Sequence, residues 1–137
     1  AESINRIIDV FPSNQQSQVR AQLAFVLEGV ITQTLLQKAS GRGRVMCAEI
    51  MVATPAIRAL IRDDKIHQIY SSMQAGKKFG MQLLDDHLWT LYMSGKVSAE
   101  EMIDKSKNPA DLRDKVHKLG RTIGRTDLDE DDDIGKG

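Results

Sequence analysis

The sequence is poor in cysteine, proline and aromatic residues: its 137 residues include one cysteine, three prolines, one tryptophan, two tyrosines and three phenylalanines. The single cysteine, Cys47, excludes an internal disulfide, and a lone cysteine more often packs as a small hydrophobe than acts as a nucleophile. No apolar run approaches the roughly 20 residues that cross a bilayer, and no basic region with a hydrophobic signal core opens the chain. We therefore expect no membrane insertion and a cytoplasmic location.

Net charge is also lacking, since 19 Lys and Arg balance 19 Asp and Glu. The balance hides an asymmetry, because residues 126–137 contain six acidic residues and one lysine, while the other residues include 18 basic and 13 acidic ones. Without clustered basic side chains and aromatic stacking residues, this excess does not favour nucleic-acid binding. The acidic segment lacks the glycine and the distal glutamate of a calcium loop. We expect residues 121–137 to form an acidic, disordered tail.

Apolar residues recur at the i, i+3 and i+4 spacing of amphipathic helices over most of the chain. With Pro and Gly as the breaks, the spacing predicts helices within residues 4–11, 13–31, 54–62, 64–76 and 81–95, and two more that begin near residues 98 and 108. Three helix starts carry capping signals, namely Ser13 with Gln16, Thr54 with Pro55, and Ser98 with Glu101. The fold is predicted to be mainly α-helical.

One segment has the alternation of β-structure. Residues 34–38 and 44–52 are predicted to form a hairpin, with Gly41 and Gly43 in its turn. Both alternating sets of the second strand are mostly apolar, so we expect it to be covered on both faces, as in the interior of a larger sheet. The predicted fold class is therefore mainly α with a short β-hairpin.

The glycines of the predicted turn raise the question of a phosphate loop. Gly41-Arg42-Gly43-Arg44 is glycine-rich and basic, but it lacks the Lys-[Ser/Thr] that contacts the phosphates and magnesium in a Walker A loop. A hairpin turn is the better interpretation.

No set of side chains is predicted to be catalytic or to hold a metal. The three histidines fall in separate predicted helices, without the spacing of metal ligands. Adjacent helical residues point about 100° apart, so neighbouring acidic and histidine side chains do not converge on one substrate atom. We therefore interpret them as part of a solvated helix face. The side chains concerned are His67, His87 and His117, and the run Asp85, Asp86 and His87.

The helix over residues 54–62 pairs a basic edge with an apolar one. Arg58 and Arg62 lie at i and i+4, and Lys65 follows a turn later. Two interpretations stay open: a solvated basic edge, which contributes little, or a grip on a row of carboxylates in a neighbouring subunit or partner.

The same helix carries a resemblance. Thr54-Pro-Ala-Ile-Arg-Ala-Leu-Ile-Arg62 resembles the Ala-Ile-Arg-Asn-Leu-Ile-Arg motif of the type IV pilus retraction ATPases, the PilT-type twitching-motility proteins. Further matches occur in order and bring the resemblance to about residues 1–105, whereas residues 91–113 look more like the related PilU-type sequences. These matches are Ile7-Ile-Asp-Val-Phe-Pro12, Gln33-Thr-Leu-Leu36, Gly43-Arg-Val45, Glu49-Ile-Met51, and Gly80-Met-Gln82 with Asp85.

The resemblance implies a fold and a function. It places residues 1–120 in the C-terminal helical portion of a RecA-like α/β P-loop ATPase domain. The intact protein would be a hexameric motor that uses ATP and magnesium to retract pili at the cytoplasmic face of the inner membrane, against a platform protein. The nucleotide-binding motifs of the family precede this segment, so no catalytic, cofactor or metal residue is expected within it.

In the family the Ala-Ile-Arg motif couples ATP hydrolysis to retraction. Its carry-over assigns a mechanical or interface role to Ala56, Ile57, Arg58, Leu60, Ile61 and Arg62. Ala59 stands where the family usually has Asn, which puts a polar contact of that position in doubt.

Two alternatives stay open. The chain begins on Ala1 with a helical stripe already running, which suggests a fragment of a longer motor, but a free-standing adaptor that retained only the helices of such a motor would look the same. A related type II secretion or pilus-extension ATPase is the other alternative, and the Ala-Ile-Arg motif argues against it.

Overall fold

A computed structural model describes residues 2–121 of the protein. Within that range the chain is mainly helical, with one two-stranded antiparallel sheet. The elements are α1 (Glu2–Asp9), α2 (Gln16–Val26), β1 (Gly29–Gln37), β2 (Arg44–Val52), α3 (Pro55–Arg62), α4 (Ile69–Ala75), α5 (Leu84–Met93), α6 (Ala99–Lys105) and α7 (Pro109–Lys118). Two short 3-10 helices, Ile66–Gln68 and Lys77–Phe79, flank α4. The predicted fold class, mainly α with a hairpin, is confirmed.

The chain forms two compact units, each with its own apolar core. Within the described residues, unit 1 contains residues 2–33 together with Ala48–Leu83, and unit 2 contains Thr34–Cys47 together with residues 84–121. Fully buried side chains of unit 1 include Ile4, Ile8, Ile57, Ile61, Ile69 and Met73. Those of unit 2 include Leu36, Cys47, Leu88, Met102, Leu112 and Val116. Aliphatic residues rather than aromatic ones fill both cores, and Cys47 packs as a buried hydrophobe, as predicted.

The hairpin is longer than predicted. β1 begins at Gly29 rather than at residue 34, and α2 ends at Val26. Residues 30–32 are Val-Ile-Thr, and such β-branched side chains lose rotamer freedom in a helix but pack well on a pleated strand. Val30 and Ile31 continue the apolar spacing of α2, so the prediction that this helix extends to residue 31 is wrong.

Two backbone hydrogen bonds fix the register of the strands. The Lys38 N–H donates to the Gly43 carbonyl (3.1 Å) at the turn, and the Ala53 N–H donates to the Glu28 carbonyl (2.9 Å) at the open end. Gly41 and Gly43 both have positive φ angles, +75° and +78°, which glycine adopts without strain. The predicted hairpin turn is confirmed.

β2 is covered on both faces only over part of its length. Cys47, Ala48 and Glu49 are consecutive buried residues, as expected for a strand in the interior of a sheet. Among residues 2–121 the sheet nevertheless has two strands. On its other edge β2 makes one isolated antiparallel bridge, in which Ile50 and Gln82 exchange backbone hydrogen bonds of 2.8 and 2.9 Å. This bridge places Gln82 before α5, so that helix begins at Leu84 and not at residue 81.

The capping predictions had different outcomes. Ser98 caps α6 as predicted, because its hydroxyl accepts from the Glu101 N–H (3.1 Å). The Glu101 carboxylate instead accepts from the N–H of Gln37 (3.2 Å). The predicted box of Ser13 with Gln16 is wrong: α2 begins at Gln16 without a side-chain cap.

Two further observations concern the last described residue and the length of the helices. The guanidinium of Arg121, the last described residue, lies 5.5 Å from the centre of the Tyr92 ring, and the remainder of the predicted acidic tail lies outside the described residues. None of the helices in residues 2–121 is both long and apolar enough to span a membrane.

Candidate functional site

The motif helix α3 starts where β2 ends, at a well-formed cap. The Thr54 hydroxyl accepts from the Ile57 N–H (3.4 Å), and Pro55 occupies the first helical turn, where its missing N–H costs nothing. The predicted helix start is confirmed, so the local sequence alone fixes where the motif begins.

We expect Thr54→Ala to destabilise the protein by about 1 kcal/mol, because the substitution leaves a free N–H group at the start of α3. Thermal or urea unfolding of the variant measures this change. Thr54→Ser keeps the accepting oxygen and is the matched control. An alanine variant as stable as the serine one would contradict the role of this cap.

The apolar residues of the motif lie in the core of unit 1. Ile57 and Ile61 are fully buried at 0% exposure, one turn apart on the same face of α3. Leu60 is half-buried and packs against the same core. Ile57 and Ile61 therefore hold α3 in place and have no surface with which to contact a partner directly.

Arg58 is engaged by its own chain. Its Nη1 donates to the carbonyl oxygens of Ala24 (2.8 Å) and Phe25 (3.2 Å), in the last turn of α2. The last carbonyls of a helix have no intrahelical partner, and a cation beside them is favourable because the helix dipole places partial negative charge there. Arg58 thus acts as a C-terminal cap for α2.

Arg62 has a different environment, although it lies one turn from Arg58. Its side chain is 61% exposed, and its Nε lies 3.2 Å from the carboxylate of its neighbour Asp63. An exposed ion pair of this kind contributes little to stability. Of the motif residues, Ala56 and Arg62 are exposed, whereas Ala59, at the position of the departure from the family, is half-buried.

The end of α3 contains a contact that the sequence analysis missed. Asp64 has φ +57°, a left-handed conformation uncommon for a residue other than glycine. Its carboxylate lies 3.2 Å from the Nε of Arg20, whose side chain is only 18% exposed. Aspartate tolerates this backbone region, but nothing in the local sequence pairs Asp64 with an arginine in α2.

Asp85 is another residue whose role the sequence analysis missed. Its carboxylate accepts from the Ser106 hydroxyl (2.7 Å) and from the N–H groups of Lys107 (2.9 Å) and Asn108 (3.0 Å). The interpretation of Asp85 as part of a solvated helix face is therefore wrong. The carboxylate organises the connection between α6 and α7, at a separation of more than 20 residues that no local pattern reveals.

The glycine-rich turn does not fit a nucleotide. The Gly41 N–H donates to the Lys38 carbonyl (2.9 Å) and the Arg42 N–H donates to the Ser40 hydroxyl (3.4 Å), so these amides are not directed at a phosphate. Phosphate loops present free backbone N–H groups together with a lysine. Within residues 2–121 no group of three or more His, Cys, Asp or Glu is arranged to hold a metal ion.

The comparison with known proteins supports the resemblance that the motif of α3 indicates. No family model matches the sequence. The chain is 48% identical over 109 residues to the type IV pilus retraction ATPase PilT of Pseudomonas aeruginosa, covering 80% of this chain and 31% of that protein. It is 42% identical over 108 residues to a twitching motility protein of Neisseria gonorrhoeae, covering 79% of this chain and 29% of that protein.

Solved structures match the fold. The crystal structure of the pilus retraction motor PilT with bound ADP has a TM-score of 0.70 and 42% identity, over 82% of this chain and 31% of that chain. The ATPase DotB of Legionella pneumophila has a TM-score of 0.58 over 74% of this chain and 27% of that chain, and its 17% identity shows the fold alone.

These similarities identify first the kind of domain and then the proteins to which the chain is homologous. The fold is consistent with the C-terminal part of an ATPase domain. By sequence, the chain is homologous to one segment of the type IV pilus retraction ATPases of the PilT type, as the motif of α3 predicted. The chain spans about a third of the length of these relatives.

Proposed function

We propose that the protein containing this chain is an ATP-driven motor that retracts type IV pili, and that this chain transmits movement within it. The single observation that carries the proposal is the 48% identity to a retraction ATPase over 109 residues, which include the Ala-Ile-Arg helix. We expect ATP and magnesium to be held by residues outside this chain, because the glycine-rich turn lacks the Lys-[Ser/Thr] of a Walker A loop and its Gly41 and Arg42 amides are hydrogen-bonded within the turn.

The motif helix supports a mechanical role for this segment. Its two isoleucines anchor it in the core of unit 1, and its Thr54 cap fixes the end that follows β2. Packed helices move as rigid bodies because close-packed cores resist deformation. A movement imposed on α3 would therefore be passed to the rest of unit 1, with Arg62 left exposed to contact another surface.

The partners of such a motor follow from the proposal. The protein would act as a homo-oligomer, a hexameric ring, in the cytoplasm at the inner-membrane face, where the platform protein of the pilus machine would receive its movement. This segment would contribute neither nucleotide chemistry nor a membrane anchor.

The proposal is tested by deleting the gene and restoring it. We expect cells without the gene to assemble pili that do not retract, as followed by microscopy of labelled pili, and the restored gene to recover retraction. The gene is also expected to encode a Walker A loop ahead of Ala1, and the purified product of the whole gene to hydrolyse ATP.

Two outcomes would contradict the proposal. Normal retraction in the deleted strain would exclude a retraction motor. A gene product that starts near Ala1 and hydrolyses no ATP would favour the alternative, a non-catalytic adaptor derived from such an ATPase. A product that hydrolyses ATP but supports pilus assembly or secretion instead of retraction would identify the related extension or type II secretion motors.

A further inference from the structure

Helices α2 and α3 of unit 1 are joined by polar contacts at both ends of their interface. Arg58 in α3 contacts the carbonyls of Ala24 and Phe25 near the end of α2, while Asp64 just after α3 contacts Arg20 nearer the start of α2. The order of these contacts shows that the two helices run antiparallel. Between them, Ile57 and Ile61 pack in the same core cluster as Ala24.

The contact at Arg58 supplies something that α2 lacks. The last turn of α2 contains no basic residue of its own, so nothing within the helix complements the partial negative charge of its final carbonyls. Arg58 provides this charge from the neighbouring helix. Both contacts come from one guanidinium nitrogen, Nη1, whose two N–H groups donate to successive carbonyls, which an aliphatic side chain cannot do.

The capped end of α2 is also where the hairpin begins and ends. The chain leaves α2 through Leu27 and Glu28 into β1, and the Glu28 carbonyl accepts from the Ala53 N–H (2.9 Å) just after β2. Thr54 then caps α3, which carries Arg58 four residues later. The end of α2, the base of the hairpin and the motif helix therefore meet within a few residues of Arg58.

From this arrangement we propose that Arg58 is a positioning residue: it locks the motif helix to the end of α2, so that α2, α3 and the base of the hairpin move as one body. The two arginines of the motif then have separate tasks. Arg58 acts within its own unit through the carbonyls of α2, and Arg62 is the arginine that faces outward. The consequence for retraction rests on the proposed function, whereas the lock itself does not.

Amide hydrogen exchange of the whole protein, including any sequence that the gene adds to this chain, tests the lock. In Arg58→Ala, we expect exchange in the segment of residues 23–29 and at Ala53 to accelerate by about 10- to 100-fold, as expected when a charged hydrogen bond is lost. Arg58→Lys keeps a cation near the carbonyls and should recover part of the protection. Arg62→Ala should leave this segment unchanged.

A second control separates the lock from general destabilisation. Ile8→Val removes a methyl group from the same core without touching α2 carbonyls, so it should accelerate exchange broadly over unit 1. If Arg58→Ala gives the same broad pattern as Ile8→Val, or if Lys restores no protection, the positioning role is overturned and Arg58 is merely one more stabilising contact.

The two proposals fail in different ways. If exchange near the end of α2 is not accelerated in Arg58→Ala, the lock is overturned even if the protein retracts pili. Normal retraction after deletion of the gene would overturn the motor even if the lock is found.

Discussion

Replacing both Arg58 and Arg62 with alanine in the whole protein is expected to stop pilus retraction, with velocity reduced by about tenfold or more, while ATP hydrolysis stays within about twofold. Hydrolysis is expected to persist because both side chains contact protein groups and not a nucleotide site. One holds α2 through its carbonyls and the other is exposed beside Asp63. Retraction is measured on single labelled pili, and hydrolysis by phosphate release from the purified protein.

A matched control makes this test specific. Arg6 is an exposed arginine of α1 outside the motif, so Arg6→Ala removes one positive charge from unit 1 and should retract normally. A double variant that retracts as fast as Arg6→Ala would remove the coupling role from the motif. A double variant that loses hydrolysis and retraction together would place the arginines in the catalytic cycle instead of in transmission.

Truncating a buried residue of the motif should have the largest effect on stability. Ile57→Ala removes a side chain at 0% exposure from the core of unit 1, and we expect a loss of about 2–5 kcal/mol in the free energy of unfolding. The range reflects how far the core closes around the cavity. Urea denaturation followed by circular dichroism measures it, since the only tryptophan, Trp89, lies in unit 2.

The matched control is the exposed arginine of the same helix. Arg62→Ala is expected to change stability by no more than about 0.5 kcal/mol, as is usual for surface substitutions away from caps and cores. Equal losses in the two variants would contradict the assignment of Ile57 to the core. With the expected difference, Ile57→Ala lowers retraction through the amount of folded protein, whereas Arg62→Ala lowers it at constant amount.

The two motif arginines show why the sequence pattern could not assign their partners. Their i, i+4 spacing indicates a shared edge of α3, and the structure does place Arg58 and Arg62 one turn apart. A guanidinium can donate hydrogen bonds to carboxylates and to carbonyls. The residue type therefore did not show that Arg58 contacts the end of α2, 33 and 34 residues earlier. That partner exists only because the two helices pack antiparallel.

The sequence by itself determined the helical class, the hairpin turn, the Thr54 and Ser98 caps and the resemblance of the motif helix. These features depend on residues within a few positions of one another, where spacing, φ preferences and capping chemistry act directly. The 48% identity to a PilT retraction ATPase over 80% of the chain then confirmed the resemblance.

The tertiary structure alone decided the start of β1 at Gly29, the cap that Arg58 places on α2, the pair of Arg20 with Asp64, and the role of Asp85. Strand pairing overrode the helical spacing of residues 30 and 31, because β-branched residues gain more from a paired strand than from a continued helix. The polar contacts join residues more than 20 positions apart, and only packing of the helices brings such donors and acceptors within hydrogen-bond distance.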